Sequence, residues 1–221
     1  MRYVHFVQSF ATNIVAGLIQ VCMRGGMVDV RKVLPRLAVA VAVLWFVIPE
    51  LISGPLDTLQ YFTYTGSLVI AAVLVLTATG RWDDRHLVLA LSAAWVIHLV
   101  YIFLLVGLPG VPNDLLTGGV DNIVLHYLTP YYLLFDAIVL ARAENADRLD
   151  ALRYLILPAA YLPFVMLYGR SVGAYPYFFL DVGDLGVGVA GYVTGILAMF
   201  AGLNWFFAMI ITKHKTPVRP S

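Results

Sequence analysis

Polar side chains inside uncharged stretches are the residues of this chain that could do chemistry. One such stretch carries a set spaced four, three, four and three residues apart: Asn122, His126, Thr129, Leu133 and Asp136. This spacing places the set on one face of a helix. Because polar groups are costly inside a membrane, the face should look into a helix bundle, either to hydrogen-bond neighbouring helices or to form a functional site.

A second stretch presents a face with the same spacing: Thr63, Ser67, Ile70, Leu74 and Thr77. Its hydroxyl groups are concentrated at the start of the stretch. Hydroxyls in membrane helices most often bond to their own backbone, and this is the simplest reading of Thr63 alone. A functional reading of Thr63 depends on what lies beside it.

Thr63 and His126 are expected at similar depth in the membrane. Thr63 stands three residues into its predicted helix and His126 six, counted from the same side. At 1.5 Å per residue their depths differ by only about 5 Å, so they could meet if the two helices adjoin. A hydroxyl needs a base within reach to act as a nucleophile, and an imidazole is suited to that role. The pair therefore predicts a nucleophile and a general base.

The other partners of such a pair are less evident from spacing. Asp136 lies about 15 Å along the helix from His126, too far to orient that ring, so a third catalytic member must come from elsewhere. Asn122 and Ser67 are candidate donors to a developing oxyanion. His98, followed by Tyr101, lies near the middle of the third stretch. A relay through His98, His126 and Asp136 is the alternative and would indicate proton-coupled transport.

Composition indicates an integral membrane protein. The 221 residues are 61% hydrophobic and 12% charged, whereas soluble domains carry about 25% charged residues. The net charge of +1 gives no electrostatic case for binding nucleic acid. Cys22 stands alone and no HxxxH pair is present, so we predict no metal and no cofactor. Membrane lipids are the expected partners.

Six uncharged stretches predict an all-α bundle of transmembrane helices at 37–52, 60–79, 87–108, 120–140, 154–168 and 190–212. A bilayer core requires about 20 helical residues, so the fifth predicted helix is short. Residues 4–23 show an amphipathic pattern that favours an interfacial helix, with a seventh span as the alternative. We therefore divide the chain into an N-terminal helix and basic linker (1–32), a six-helix domain (33–212) and a basic tail (213–221).

Basic residues predict the topology, because lysine and arginine mark the cytoplasmic side of a membrane protein. Twelve fall before the first predicted span, on alternate connections, or in the tail: Arg24, Arg31, Lys32, Arg36, Arg81, Arg85, Arg142, Arg148, Arg153, Lys213, Lys215 and Arg219. In the opposite loops, Arg170 is the only basic residue, and the other charged residues are acidic. Both ends of the six-helix domain are thus expected to be cytoplasmic, in a multi-pass protein of the cell membrane.

The last outer loop carries a segment rich in aromatic residues, Tyr175-Pro176-Tyr177-Phe178-Phe179-Leu180, followed by Asp181. Aromatic side chains at headgroup level commonly anchor a protein in the interface. The alternative is a lid over a pocket that lipids reach from the membrane. Arg170, Tyr177 and Asp181 are accordingly candidate supporting or substrate-binding residues.

Short motifs in four places resemble the bacterial probable-six-transmembrane (Pr-six-Pr) family. They are Tyr61-Phe62-Thr63 with Ser67, Val100-Tyr101, Asn122 with His126-Tyr127, Pro130 and Asp136, and the run from Tyr175 to Asp181. The similarity covers roughly residues 36–212. That family is in turn distantly similar to the androgen-induced-protein family of animal membrane hydrolases.

The resemblance implies an activity and two site residues. The animal enzymes cleave fatty-acid esters of hydroxy fatty acids with a threonine nucleophile and a histidine, which match Thr63 and His126 by position. It therefore implies a lipid-ester hydrolase acting near the outer face. A lipid-binding protein without catalysis, or a proton-coupled transporter, remains the alternative.

Overall fold

The computed structural model describes residues 29–108, 119–141, 143 and 152–212. The predicted N-terminal amphipathic helix, its alternative as a seventh span, and the basic tail lie outside these residues. Within them the chain is helical and contains no strand, which confirms the predicted all-α bundle. Its helices are α1 (Val30–Ser53), α2 (Pro55–Leu59), α3 (Phe62–Ala78), α4 (Asp84–Leu105), α5 (Gly119–Leu140), α6 (Leu152–Val172), α7 (Val182–Leu185) and α8 (Gly188–Thr212).

Helices α1, α4, α5, α6 and α8 are long and apolar enough to cross a membrane, and α3 is a shorter apolar helix of 17 residues. Large apolar side chains also face outward from the bundle, with Phe103 76% and Leu167 70% exposed. In water such surfaces would be unusual for a folded monomer. Against lipid they are expected, since the hydrocarbon core meets the outer face of every spanning helix.

Helix α4 occupies the centre of the bundle. It packs against α3, α5 and α8, while α1 packs against α3 and, through Arg36, contacts α4 and α5. Small residues on α4, including Ala90, Ala93 and Ala94, are fully buried and allow these neighbours to approach closely. Gly66 of α3 faces Ile97 of α4 so closely that an added Cβ would lie 2.9 Å from the Ile97 Cδ1 atom. This close contact brings the start of α3 against α4.

Helix α1 begins earlier than the sequence predicts. The carboxylate of Asp29 caps it by accepting a hydrogen bond from the Arg31 backbone N–H. The helix therefore runs through Arg36, and the predicted domain boundary at residues 32–33 falls inside it. Arg36 was expected among the basic residues before the first span, on the cytoplasmic side, but its side chain is buried within the bundle.

Helix α6 is longer than the predicted segment 154–168. It runs from Leu152 to Val172, 21 residues, with Pro163 inside it. It ends at Gly173, whose φ of 74° is a left-handed conformation that favours glycine. The prediction of a short fifth helix is wrong, and Arg170 lies in its last turn instead of the outer loop.

Alternation of helix direction gives the bundle two ends. Arg36 near the start of α1 meets residues at the start of α4 and near the end of α5. Thr63 near the start of α3 meets the first half of α5. We refer to these as the Arg36 end and the Thr63 end.

Candidate functional site

The structure brings Thr63 and His126 together at the Thr63 end. The Oγ1 atom of Thr63 lies 3.4 Å from Nε2 of His126, and both side chains are half-buried. This distance is at the long limit of a hydrogen bond, as is common for catalytic pairs without substrate. The sequence expected the two groups at similar depth on separate helices, and the geometry agrees. Their catalytic roles stay predictions.

The His126 ring is held by stacking. The ring of Tyr101 stacks on it, with the ring centroids 4.1 Å apart and an angle of 29° between the two planes. The Nδ1 atom of His126 is buried and has no hydrogen-bond partner among the described residues. Stacking thus fixes the ring plane, and no described carboxylate supplies the third member of a triad.

Aromatic hydroxyls organise the start of α3. The Phe62 backbone N–H donates a 2.9 Å hydrogen bond to the Tyr177 hydroxyl oxygen, and the Tyr161 hydroxyl donates to the Gln60 carbonyl. Burial raises the pKa of Tyr177 to about 12, opposed by hydrogen bonds from Phe62 and Thr63. Tyr177, from the loop between α6 and α7, therefore holds the backbone of Phe62, next to Thr63. This fits a role in building the site.

An apolar pocket opens beside the Thr63 side chain. Its cavity volume is small, about 50 Å³. Its walls come from α3, α4, α6, α8 and the loop between α6 and α7, and they include Phe62, Val100, Tyr161, Tyr177, Phe179 and Ile196. Thr63 lies in the wall, whereas His126 lies behind it. Apolar groups suit these walls, and Thr63 is one of the residues that line them.

Helix α5 is irregular at His126. Residues Ile123–Leu128 form a π-helical stretch that ends before Pro130. The His98 Nδ1 atom lies 2.6 Å from the His126 backbone carbonyl, and the Thr129 hydroxyl donates to the Val124 carbonyl at 2.7 Å. π-Helical stretches are frequent at functional sites. His98 and Thr129 thus bond to the backbone of α5 close to the site.

The two predicted oxyanion donors are close to the pair in sequence and buried. Asn122 lies one turn before His126, and its Nδ2 atom has no hydrogen-bond partner among the described residues. Ser67 lies one turn after Thr63. A buried amide without a hydrogen-bond partner costs free energy. A substrate oxygen that accepted a hydrogen bond from Asn122 would remove this cost, which fits the predicted role of Asn122 as a donor.

Asp136 belongs to a different cluster, at the Arg36 end. Its carboxylate accepts hydrogen bonds from Arg36 Nε at 2.7 Å and Nη2 at 2.8 Å, and from the Tyr132 hydroxyl at 3.3 Å. Arg36 also bonds Asp84, which pairs with Lys32. Asp136 was predicted as a supporting residue or a relay member. The structure instead pairs it with Arg36, away from His126.

Two other predicted site residues lie apart from the pair. Arg170 is exposed in the last turn of α6. The Asp181 carboxylate caps α7, accepting from the Gly183 backbone N–H at 2.8 Å. The described residues contain no group of three or more His, Cys, Asp or Glu side chains that could hold a metal ion.

Sequence reasoning missed two important residues. Tyr161, whose hydroxyl bonds the backbone just before α3, lies on α6 at a position with no distinguishing motif. Arg36 was counted only as a cytoplasmic charge because it directly precedes the hydrophobic stretch. Its partner is 100 residues away, and no local pattern could have connected the two.

Comparisons of the chain with models of protein families, with curated proteins and with solved structures find no match. The resemblance to the Pr-six-Pr and androgen-induced-protein families therefore stays a prediction. The functional argument depends on the geometry of the site.

Proposed function

We propose that this protein is a membrane-embedded hydrolase of lipid esters, with Thr63 as nucleophile and His126 as general base. The observation that carries the proposal is the 3.4 Å separation of Thr63 Oγ1 and His126 Nε2 beside an apolar pocket. A hydroxyl next to an imidazole is the minimum arrangement for nucleophilic acyl transfer. The resemblance of its motifs to the Pr-six-Pr family, which is distantly similar to the animal hydrolases, implies the same two residues.

In the first half-reaction, Thr63 Oγ1 attacks the ester carbonyl carbon while His126 Nε2 takes the hydroxyl proton. The tetrahedral intermediate collapses, the bond to the alcohol oxygen breaks, and the imidazolium returns its proton to that oxygen. The product is an acyl-threonine. In the second half-reaction His126 accepts a proton from water as the water attacks, which releases the fatty acid and restores Thr63.

The best-supported donor for the oxyanion is the side-chain amide of Asn122, whose buried Nδ2 atom has no hydrogen-bond partner among the described residues. Backbone N–H groups at the start of α3 already have partners. The Phe62 N–H donates to Tyr177, and the N–H groups of Tyr64 and Thr65 donate to the Tyr61 carbonyl at 3.1 and 3.2 Å.

The pocket supports a fatty-acyl group as substrate. Its walls are almost entirely apolar side chains, with Thr63, Tyr161 and Tyr177 as the polar exceptions. An acyl group that entered it would stay in an apolar environment with its ester carbonyl beside Thr63, and a long chain would require the walls of this cavity of about 50 Å³ to move apart. This is the reason to favour a lipid ester over a water-soluble ester.

Charge distribution supports an orientation. Lys32, Arg36, Arg81 and Arg85 lie at the Arg36 end, so this end would face the cytoplasm. The Thr63 end would then face outward, and hydrolysis would occur in the outer leaflet of the cell membrane.

Lipid binding without catalysis is the second candidate. It is favoured by the position of His126 behind Thr63, outside the pocket wall. Proton-coupled transport has less support, because Asp136 is paired with Arg36.

Hydrolysis of long-chain fatty-acid esters by the purified protein in nanodiscs tests the proposal. Thr63→Ala and His126→Ala should each lower turnover by at least about 100-fold, the usual contribution of a general base. The matched controls are Thr79→Ala, whose hydroxyl bonds its own helix, and His86→Ala, whose ring bonds Tyr154. Equal turnover in the parent and both site variants would reject the hydrolase and leave lipid binding.

A further inference from the structure

The backbone of α5 lacks the N–H that would normally bond the carbonyl of His126 in an α-helix. In an α-helix, the carbonyl of each residue accepts a hydrogen bond from the N–H four residues later. The residue four positions after His126 is Pro130, which has no N–H. His126 itself lies in a π-helical stretch, Ile123–Leu128, where a carbonyl pairs with the N–H five residues later, so regular α-helical pairing is broken here. The His126 carbonyl thus has no α-helical donor four residues later, and it accepts from another helix instead.

His98 of α4 supplies that donor. Its Nδ1 atom lies 2.6 Å from the His126 carbonyl oxygen. A carbonyl oxygen can only accept, so Nδ1 of His98 carries the hydrogen. The other ring nitrogen, Nε2, lies 3.5 Å from the Tyr131 hydroxyl. The bond thus ties the backbone of α5 to the central helix of the bundle at the residue whose side chain faces Thr63.

Aromatic rings hold His98 in this orientation. The rings of Trp95, Tyr127 and Tyr131 all pack edge-on to it, with centroids 5.3 to 5.4 Å away and interplanar angles of 76° to 82°. The side chain is also 4% exposed. Such packing restricts rotation of the ring and keeps Nδ1 directed at the His126 carbonyl.

We propose that His98 is a positioning residue for the reaction at Thr63, acting through its hydrogen bond to the backbone carbonyl of His126. The inference rests on the proposed function. By replacing the donor that Pro130 lacks, His98 sets the position of the α5 backbone and hence the distance between His126 Nε2 and Thr63 Oγ1. Catalytic groups must be held to within a fraction of an ångström, and supporting hydrogen bonds provide this precision.

The geometry separates positioning from substrate binding. His98 does not line the apolar pocket beside Thr63. Loss of its hydrogen bond should therefore lower kcat and leave KM for a long-chain ester nearly unchanged. A general packing defect would instead affect stability and KM together.

Four variants test the inference with the full-length protein in nanodiscs. His98→Leu removes the donor, and kcat should fall by about 10-fold to 100-fold. His98→Asn keeps an N–H donor at a similar distance from the backbone and should retain most of the activity. Pro130→Ala supplies a backbone N–H and should be close to the parent. The double variant His98→Leu with Pro130→Ala should recover to within about threefold of the parent, because the helix itself then bonds the His126 carbonyl.

The matched control is His86→Leu. It removes the hydrogen bond between the His86 ring and the Tyr154 hydroxyl at the Arg36 end, and it should not change kcat. If His98→Leu equals His86→Leu, the inference is wrong while the proposed function stands. If His98→Leu is impaired but neither His98→Asn nor the double variant recovers, His98 acts through something other than the carbonyl, and the inference is again overturned.

A second measurement does not depend on turnover. In ¹⁵N-histidine NMR spectra of the parent, His98 should give the signals of an Nδ1-protonated ring with a strongly hydrogen-bonded proton, and His98→Leu should broaden or shift the His126 signals. The double variant should restore the His126 signals. Unchanged His126 signals in His98→Leu would contradict the positioning role. Absence of any Thr63-dependent hydrolysis in the parent would instead reject the proposed function.

Discussion

The guanidinium group of Arg36 forms two parallel hydrogen bonds with the carboxylate of Asp136, at 2.7 and 2.8 Å. Both side chains are essentially removed from solvent. A third bond, at 2.7 Å, joins Arg36 to Asp84. These contacts connect α1, α4 and α5 at the end of the bundle opposite the candidate site. They keep α5 in a fixed relation to α4, on which the placement of His126 depends.

Arg36→Met should destabilise the protein by about 3–5 kcal/mol. The methionine fills much of the space, but the Asp136 carboxylate would be left buried without its partner. Reversible unfolding in mixed micelles measures the effect. Arg85→Met is the matched control, since Arg85 pairs with Asp83 in an exposed bridge and should cost about 0–1 kcal/mol. Equal stabilities of the two variants would show that the Arg36 cluster contributes little.

Tyr177→Phe should lower turnover by about 10-fold with little loss of protein. The substitution keeps the ring packing and removes only the hydroxyl that accepts from the Phe62 N–H. An N–H left without its partner allows the start of α3, and with it Thr63, to shift. Ester hydrolysis in nanodiscs is the assay. Tyr192→Phe, on a ring that stacks with Phe179 at 5.8 Å, is the control, and an equally small effect of both would contradict the role of Tyr177.

Stability at high pH should depend on Tyr177. Burial raises its pKa to about 12 in the folded protein from the usual 10.0. The fold therefore favours the neutral hydroxyl, and this contribution is fully present below about pH 10 and is lost as the pH rises to about 12. The free energy of unfolding of Tyr177→Phe should fall less steeply than that of the parent across this range. Parallel pH profiles would show that the Tyr177 hydroxyl titrates normally.

Gly66→Leu should destabilise the protein by about 1–3 kcal/mol, because it overpacks the contact between α3 and α4. A Cβ at Gly66 would already meet Ile97 Cδ1 at 2.9 Å, whereas a Cβ at Gly202 of α8 would meet nothing within 4 Å. Gly202→Leu is therefore the control and should be nearly neutral. Thermal unfolding of both variants in detergent measures the difference, and a Gly66→Leu protein as stable as Gly202→Leu would mean that the helices separate without cost.

The helices and their buried faces could be predicted from the sequence. Hydropathy identified all six segments, and spacing placed Asn122, Thr129 and Asp136 on one face, where they are indeed buried. Depth along the helix also placed Thr63 and His126 at the same level. These features depend on local composition and helical geometry, which the sequence carries directly.

Partners between distant helices could not be predicted. The bond between Arg36 and Asp136 needs the relative rotation of α1 and α5. The bond from His98 to the His126 carbonyl needs the irregular backbone of α5 before Pro130. The predicted fifth segment stopped at residue 168, whereas the left-handed conformation that ends α6 comes only at Gly173.

The most direct test of the account is the site of acylation. The parent, Thr63→Ala and His126→Ala proteins would be incubated with an activated long-chain ester, quenched in acid and analysed by tandem mass spectrometry. The account predicts an acyl group on Thr63 Oγ1 of the parent that is absent from both variants. An acyl group on another residue, or equal acylation of Thr63 in the His126→Ala protein, would contradict it.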